Sequence, residues 1–152
     1  MTLRPATNGD RDDVETLIFT ILRTYGLEPS PDSTDADLAD IEGNYPRNGG
    51  IFDVVEARDG TVVGTVAVHR TSDSLCELRK MYLAEELRGH GWGKRLLDHA
   101  IEKAKALGYK SMWLETANSL EVAHRLYKQN GFEAWEAPHQ SARCDFAMKR
   151  DL

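Results

Sequence analysis

Between residues 88 and 95 the chain reads Arg88-Gly89-His90-Gly91-Trp92-Gly93-Lys94-Arg95, with glycine at three alternate positions. Glycine has no Cβ atom, so such a segment turns sharply and lets its backbone approach a ligand closely. Apolar residues at helical spacing follow, from Leu97 to Leu107, and Gly108 ends the pattern. The sequence therefore predicts a glycine-rich loop that runs directly into the N-terminus of a helix.

The charge of this loop indicates an anionic ligand. A helix N-terminus carries unpaired N–H groups and the positive end of the helix dipole, so cations are unfavourable there. The segment nevertheless contains four basic residues and no acid. An anion bound in the loop would offset this repulsion, and a phosphate or pyrophosphate group is the natural candidate. The alternative is a surface loop with incidental basic residues.

Two common phosphate-binding motifs do not fit the segment. A P-loop needs glycine where Arg88 lies, and serine or threonine where Arg95 lies. The glycines are also spaced as G-x-G-x-G rather than the G-x-G-x-x-G of dinucleotide-binding folds. Glu115 lies about where that second motif has its acidic residue, but antiparallel hairpins precede the glycines, so dinucleotide binding is disfavoured.

The flanking sequence alternates between strand and helix patterns. A strand over Leu75–Leu83 leads into the loop, and an Asp59-Gly60 turn between two earlier β-rich runs predicts a hairpin. The remaining predicted elements are a first strand at Leu3–Pro5, a helix from Val14 to Tyr25, a short helix around Leu38, a strand at Ser111–Glu115, a helix opened by Asn118, and final strands at Phe132–Glu136 and Cys144–Lys149. This order predicts an α/β fold, with a mixed sheet layered with helices.

The composition places limits on the function. At 152 residues, with 41% hydrophobic and 29% charged residues, the chain predicts a single domain over residues 1–152. Its net charge of -6 disfavours nucleic acid as a partner. There is no apolar run long enough for a membrane span, no signal-peptide pattern at the start, no metal-binding motif, and no paired-cysteine motif. We therefore expect a cytoplasmic protein without a metal.

The loop and its neighbours together resemble the GNAT superfamily, the acyl-CoA-dependent N-acetyltransferases. The family pattern Arg/Gln-x-x-Gly-x-Gly/Ala is satisfied from Arg88 to Gly93. Glu77–Leu83 is similar to the strand before the family's loop, and Thr116-Ala117-Asn118, Leu126-Tyr127 and Gly131-Phe132 are similar to its later strand–helix–strand half. The resemblance covers about residues 75–136 and implies a mostly antiparallel central sheet of about six to seven strands, with helices on both faces.

The resemblance also implies how acetyl-CoA binds as co-substrate. The backbone of Met81 and Leu83 would pair with the pantetheine arm like an added strand. The Asn118 side chain would contact the same arm, although it also fits the role of helix cap. Amides of the loop would hold the pyrophosphate, and these belong to Arg88, Gly89, His90, Gly91, Trp92, Gly93 and Lys94.

Acetyl transfer to an amine requires two proton movements, because an alkyl amine with a pKa of about 10.4 is almost fully protonated at neutral pH. Glu77 is the best candidate base, directly or through water; the alternative is a structural carboxylate paired with Arg79. Tyr127 matches the family's general acid, which protonates the departing thiolate of coenzyme A. It also lies on an apolar helix face, so simple packing is its alternative role.

The acceptor is the least determined part of the function. In the resembling family the early helices and their loop form one wall of the acceptor cleft, and here that segment contains Asp32, Asp35, Asp37, Asp40 and Glu42. Such an acidic wall predicts a small, cationic amine, although Arg47, Arg70 and Arg143 would equally suit a carboxylate on the same molecule. A non-catalytic acyl-CoA sensor of the same fold is the rival function, and a homodimer is compatible with the resemblance.

Overall fold

The structure, a computed structural model, describes residues 1–116, 121–137 and 146–152. Its strands are β1 (Thr2–Pro5), β2 (Ile51–Glu56), β3 (Val62–Arg70), β4 (Leu75–Leu83), β5 (Ser111–Thr116), β6 (Glu133–Trp135) and β7 (Phe146–Asp151). They form one 7-stranded sheet in the order β1-β2-β3-β4-β5-β7-β6. Neighbouring strands are antiparallel except β4 and β5, which run parallel. The predicted mixed, mostly antiparallel sheet is confirmed.

Helices cover both faces of this sheet, as predicted. The α-helices are α1 (Arg11–Thr24), α2 (Ile41–Asn44), α3 (Trp92–Ala106) and α4 (Glu121–Gln129). Short 3₁₀ helices lie at Asn8–Asp10, Ala36–Asp40, Pro46–Asn48 and Glu85–Leu87. Because side chains alternate across a strand, each face has its own core. The α3 core contains Leu96, Ala100 and Met112, and the α1 core contains Ile18, Tyr45 and Phe52.

Strand β2 contributes side chains to both cores. Val54 packs in the α1 core and Val55 in the α3 core. Asp53 is a buried polar residue of the same strand, and its carboxylate lies 2.6 Å from Nε2 of His99 on α3. A buried carboxylate needs such a partner, so this contact anchors α3 to the strand.

The predicted element boundaries differ from the observed ones mainly at the ends. Helix α3 begins at Trp92, inside the glycine-rich segment, and Gly91 with its φ of 80° is its N-cap. Strand β6 is Glu133–Trp135 instead of the predicted Phe132–Glu136, and β7 ends at Asp151 instead of the predicted Lys149. The predicted start of that last strand, Cys144, lies outside the described residues. Phe132 lies just before β6 and packs in the α3 core, where its apolar side chain is 1% exposed. The predicted helix cap, Asn118, lies outside the described residues.

Within the described ranges, no helix is both long and apolar enough to cross a membrane. The same ranges contain no cluster of three or more histidine, cysteine, aspartate or glutamate residues that would hold a metal ion.

Candidate active site

A cleft of about 740 Å³ opens where β4 and β5 separate. These two strands pair only at their beginnings, from Leu75–Glu77 on β4 and from Ser111–Trp113 on β5. Beyond this point the later residues of both strands line the cleft, together with parts of α1, α3 and α4. The separation leaves the second half of β4 with one unpaired edge in the described part of the chain. An extended ligand can therefore add to this edge by backbone hydrogen bonds.

A β-bulge interrupts β4 in the middle of the cleft. Thr65 of β3 lies opposite Tyr82 and Ala67 lies opposite Arg79, so β4 contains one extra residue between these two pairs. Lys80 occupies the bulge with a φ of 51°. The Thr65 hydroxyl donates a 2.6 Å hydrogen bond to the Lys80 carbonyl and fixes this conformation. Bulges change which way side chains point, and they occur often beside active sites.

The bulge places adjacent charged residues on one face of the strand. Cys76 and Leu78 lie in the α3 core, two positions apart, as expected for a regular strand. The next residue that packs against this core is Met81, three positions later. Regular alternation would also send Lys80 into that core. Instead its ammonium group joins Asp35 on the opposite face, where Glu77 and Arg79 already lie. The result is a charged end of the cleft, formed by Glu77, Arg79 and Lys80, which is called the acceptor end below.

Glu77 and Arg79 form an ion pair at this acceptor end. Nε of Arg79 donates to Oε1 of Glu77 at 2.6 Å. The side chain of Glu77 is 6% exposed and that of Arg79 is 27% exposed, and both line the cleft. Burial alone would lower the pKa of Arg79, but the negative charge of Glu77 and the oxygen of Tyr45 raise it on balance. The guanidinium therefore stays charged. Glu77, the predicted base, is thus paired with Arg79, as its alternative role of structural carboxylate requires.

Lys80 is enclosed by carboxylates from the segment after α1. Its Nζ lies 2.5 Å from Oδ1 of Asp35 and 3.4 Å from Oδ1 of Asp37, and its side chain is only 5% exposed. The Tyr45 hydroxyl donates to the other oxygen of Asp37. Burial raises the pKa of Tyr45 well above its usual value, and Asp37 raises it further, so the phenol remains a donor. These contacts hold the segment after α1, the acceptor wall, against β4.

The glycine-rich loop forms the other end of the cleft. Gly89 and Gly91 have φ values of 77° and 80°, which L-residues rarely adopt. A Cβ atom at either position would meet nothing within 4 Å, so these glycines serve the backbone conformation and leave the space in front of the loop open. Gly91 caps α3, whose first N–H groups are directed into this loop.

The basic side chains of the loop already have protein partners. Lys94 contacts Asp98 at 3.1 Å and Asn130 at 3.1 Å, and the Arg95 guanidinium lies 4.3 Å from the centre of the Trp92 ring. These contacts offset part of the repulsion between Lys94, Arg95 and the helix dipole, and a bound anion in the loop stays a prediction.

Arg88 is the loop cation that faces the cleft. Its guanidinium donates a 3.3 Å hydrogen bond to the carbonyl of Leu83 and lies 5.4 Å from the centre of the Tyr25 ring. It thus connects the loop to the end of β4 and to α1.

Most of the predicted site residues meet in this one cleft. Glu77 and Tyr127 both line it, as do seven of the predicted acetyl-CoA contacts, namely Met81, Leu83, Arg88, Gly89, Gly91, Trp92 and Gly93. His90 and Lys94 are exposed and are not among its lining residues. Asn118 lies outside the described residues, so its two alternative roles remain predictions.

Tyr127 lies on α4 at the wall of the cleft. It is 7% exposed, and its ring packs edge-on against Phe132 with 5.9 Å between ring centres. Ala123 and Leu126 of the same helix line the cleft beside it. This position suits both of the roles considered for Tyr127, because the ring packs in the α3 core and the residue borders the cleft.

Lys80 and its neighbour Tyr45 are functional candidates that the sequence did not single out, whereas Asp37 was predicted as part of the acidic wall. The available signal was the Arg79-Lys80 pair inside an otherwise apolar strand. Two adjacent charges cannot both avoid the core in a regular strand, so the pair itself indicates a bulge.

Several carboxylates of the predicted acidic wall bind groups of the protein itself. Asp35 neutralises Lys80 and also accepts a hydrogen bond from the Ser30 N–H. Asp40 caps α2 by accepting from the Gly43 N–H, and it also binds Asn8. These contacts engage part of the wall with the protein's own donors, and the cationic acceptor stays a prediction.

Most of the other charged residues that were predicted to contact the acceptor do not border the cleft. Of the wall's five predicted acids, Asp37 alone borders the cleft, and it faces Lys80. Glu42 accepts from the Asn8 N–H and pairs with Arg47 at 3.6 Å. Arg70 pairs with Asp73, and Arg143 lies outside the described residues.

Comparisons with known proteins agree with this geometry. The sequence profile described as the acetyltransferase (GNAT) family matches residues 16–132. The chain is 35% identical over 128 residues to an uncharacterised N-acetyltransferase of Schizosaccharomyces pombe, covering 84% of this chain and 78% of that protein. It is 38% identical over 97 residues to N-acetylaspartate synthetase of Danio rerio, covering 63% of this chain and 34% of that protein.

Solved structures show the same fold. An acetyltransferase of the GNAT family from Staphylococcus aureus Mu50 superimposes with a TM-score of 0.93 at 23% identity, with 99% of this chain and 98% of that chain covered. A phosphinothricin acetyltransferase from Sinorhizobium meliloti, in complex with acetyl-CoA, superimposes with a TM-score of 0.76 at 24% identity, with 99% and 88% covered. At these identities the structural likeness concerns the fold alone.

Proposed function

The chain belongs to the acetyltransferase (GNAT) family, and from this premise we propose that it transfers the acetyl group of acetyl-CoA to the primary amine of a small molecule. One observation carries the proposal: a single cleft joins the glycine-rich loop, the unpaired edge of β4, and the two candidate proton-transfer groups, Glu77 and Tyr127. Relatives named N-acetylaspartate synthetase support a small-molecule amine as acceptor. We treat residues 1–152 as one acetyltransferase domain.

The second half of β4 suits the pantetheine arm of acetyl-CoA. The arm is extended and contains amide groups, which can pair with the backbone of Met81 and Leu83 along the unpaired edge. The Leu83 carbonyl now accepts a hydrogen bond from Arg88. An incoming amide N–H would share or replace that bond, and the Arg88 guanidinium would then be available to a phosphate group.

The loop suits the pyrophosphate of the same molecule. The first N–H groups of α3 have no partners within the helix, and the positive φ of Gly89 and Gly91 leaves the space before them open. Anions bind favourably at such a helix N-terminus. Trp92 and Leu126, which also line the cleft, would cover the apolar parts of the cofactor.

The chemistry then requires one base and one acid. Glu77 removes a proton from the ammonium form of the acceptor, and the free amine attacks the acetyl carbonyl carbon. A C–N bond forms, the C–S bond breaks, and Tyr127 donates its proton to the departing thiolate of coenzyme A. The nitrogen of the new amide gives up the second proton of the original ammonium group, which restores the Tyr127 phenol, and Glu77 releases the first proton to solvent. Both substrates are bound together, so the acetyl group passes directly between them.

A covalent acetyl-enzyme is disfavoured by the surroundings of Cys76. This thiol lies in the α3 core with 0% exposure, and burial raises its pKa to about 12. The thiolate is the reactive form of cysteine, so Cys76 has almost none of it at neutral pH.

Two measurements test the proposal. Acetyl-CoA should raise the melting temperature of the purified protein, because it binds the folded state alone. Release of free coenzyme A should then depend on addition of an amine from a panel of small amines. Stabilisation by acetyl-CoA without turnover of any amine would instead identify a sensor. If acetyl-CoA neither stabilises the protein nor reacts with any amine, the proposal is refuted entirely.

A further inference from the structure

We propose that the acceptor is an α-amino acid, bound as a zwitterion by the Glu77–Arg79 ion pair, with its ammonium group on Glu77 and its carboxylate on Arg79. The inference rests on the proposed function and specifies its substrate class.

The first argument is the arrangement of charges at the acceptor end. Lys80 is enclosed by Asp35 and Asp37, and its side chain is 5% exposed, so its charge is already neutralised within the protein. The Glu77–Arg79 pair also borders the cleft, and Arg79 is the most exposed member of these pairs, at 27% against 6% for Glu77. A ligand at this end of the cleft therefore meets the Arg79 guanidinium beside the Glu77 carboxylate.

The second argument is the fit between this pair and a zwitterion. The Glu77 and Arg79 side chains are in contact at 2.6 Å, so any two ligand groups that bind them must also be close together. In an α-amino acid a single carbon atom separates the ammonium nitrogen from the carboxylate. The ammonium group of the acceptor then contacts Glu77, and its carboxylate contacts Arg79.

The third argument is the donor capacity of Arg79. A guanidinium has five N–H donors in a planar fork that matches a carboxylate. Its described partners are oxygen atoms of Glu77 and Tyr45. Donors remain for a second carboxylate, and such charge-assisted contacts are about twice as strong as neutral ones.

The same geometry disfavours the other acceptor classes. A simple alkylammonium ion would compete with Arg79 for Glu77 and would leave the half-buried guanidinium without its partner, which is costly. An acceptor amide presents a carbonyl where a carboxylate is needed and loses the charge-assisted contact.

The experiment compares matched acceptors on the unaltered protein. Each of the common L-amino acids is assayed beside its carboxamide and its decarboxylated amine, with coenzyme A release as the readout. For at least one amino acid we expect kcat/KM to exceed that of both analogues by about tenfold or more, the scale of one lost charge-assisted hydrogen bond.

Variants then assign the preference to Arg79. Arg79→Gln should slow turnover of both compounds, because it removes the partner of Glu77, but it should raise the KM for the amino acid by about tenfold more than that for the amide. Arg79→Lys should recover part of the preference because the charge is kept. Arg70→Gln is the matched control, since Arg70 is also paired with an acid but lies outside the cleft, and it should behave like the parent.

The outcomes separate this inference from the proposed function. Equal or better turnover of amines without a carboxylate would overturn the inference and leave the acetyltransferase intact. An equal loss of amino-acid and amide turnover in Arg79→Gln would also overturn it, since Arg79 would then serve the structure alone. If no compound is turned over although acetyl-CoA raises the melting temperature, the proposed function fails and the inference fails with it.

Discussion

Replacing Tyr127 by phenylalanine separates its chemical role from its packing role. The substitution keeps the aromatic ring, and hence the edge-on contact with Phe132 at 5.9 Å between ring centres. It removes the one proton that the side chain can donate. If the hydroxyl protonates the departing thiolate, kcat should fall by about 10²–10⁴-fold. Affinity for acetyl-CoA should change little, because the lost interaction develops in the transition state.

The expected loss of stability is small by comparison. The ring of Tyr127 is 7% exposed and stays in place, so the cost is at most that of one hydroxyl hydrogen bond, about 0.5–1.5 kcal/mol. For a chain of 152 residues this corresponds to a fall in melting temperature of about 1–6 °C. Tyr127→Ala, which also removes the ring, should cost about 3–5 kcal/mol.

Tyr109→Phe is the matched control. Tyr109 is also 7% exposed, and its hydroxyl donates to the Gly49 carbonyl at 2.6 Å, outside the cleft. It should lose a similar amount of stability and keep its kcat.

The assay measures coenzyme A release at saturating substrates, with calorimetry for acetyl-CoA affinity and a rapid-mixing experiment to show that chemistry limits the rate. A Tyr127→Phe protein that retains more than half of the parent's kcat under that condition would remove Tyr127 from the mechanism.

Three further substitutions test the binding loop and the bulge. Gly91→Val should weaken acetyl-CoA binding by about tenfold or more, because valine strongly disfavours a φ of 80°; Gly60→Val, at a hairpin turn with a φ of 89°, is the control for backbone strain and should bind normally. Arg88→Ala should weaken acetyl-CoA binding by roughly 1–3 kcal/mol, less at high salt, and a loss that does not vary with salt would contradict a phosphate contact. Lys80→Met should reduce the free energy of unfolding by about 3–5 kcal/mol in urea, because it leaves the fully buried Asp35 carboxylate without its cation. Adding Asp35→Asn should restore part of that loss, and a single variant as stable as the parent would show that the pair does not hold the acceptor wall.

The cofactor end of the site was predictable from the sequence because its signals are local. Three alternate glycines before an amphipathic pattern predict a loop and a helix, and β4 was predicted with its observed bounds, Leu75–Leu83. Backbone conformation at Gly89 and Gly91 depends on the residue type itself, so the sequence contains the relevant information directly.

The acceptor end was not predictable in the same way, because its contacts join distant parts of the chain. Lys80 and Asp35 are 45 positions apart, and their contact depends on a bulge that periodicity alone does not reveal. The acids of residues 32–42 therefore looked like a free negative surface. In the folded chain Asp35 pairs with a buried ammonium group, and Asp40 and Glu42 accept from backbone N–H groups, which only the tertiary structure shows.

The bulge at Lys80 also bears on how this scaffold can acquire new specificities. Under the proposed function, it divides β4 into a stretch that would meet the acceptor and a stretch that would meet the acetyl donor. The hydroxyl of Thr65 holds the junction, so substitutions at Glu77 and Arg79 leave the register of Met81–Leu83 unchanged. Deleting one residue at the junction would instead reverse the facing of the strand on one side of it. Variation of Arg79 is therefore a route to altered acceptors with an unaltered donor, and a library confined to position 79 would keep the proposed base, Glu77.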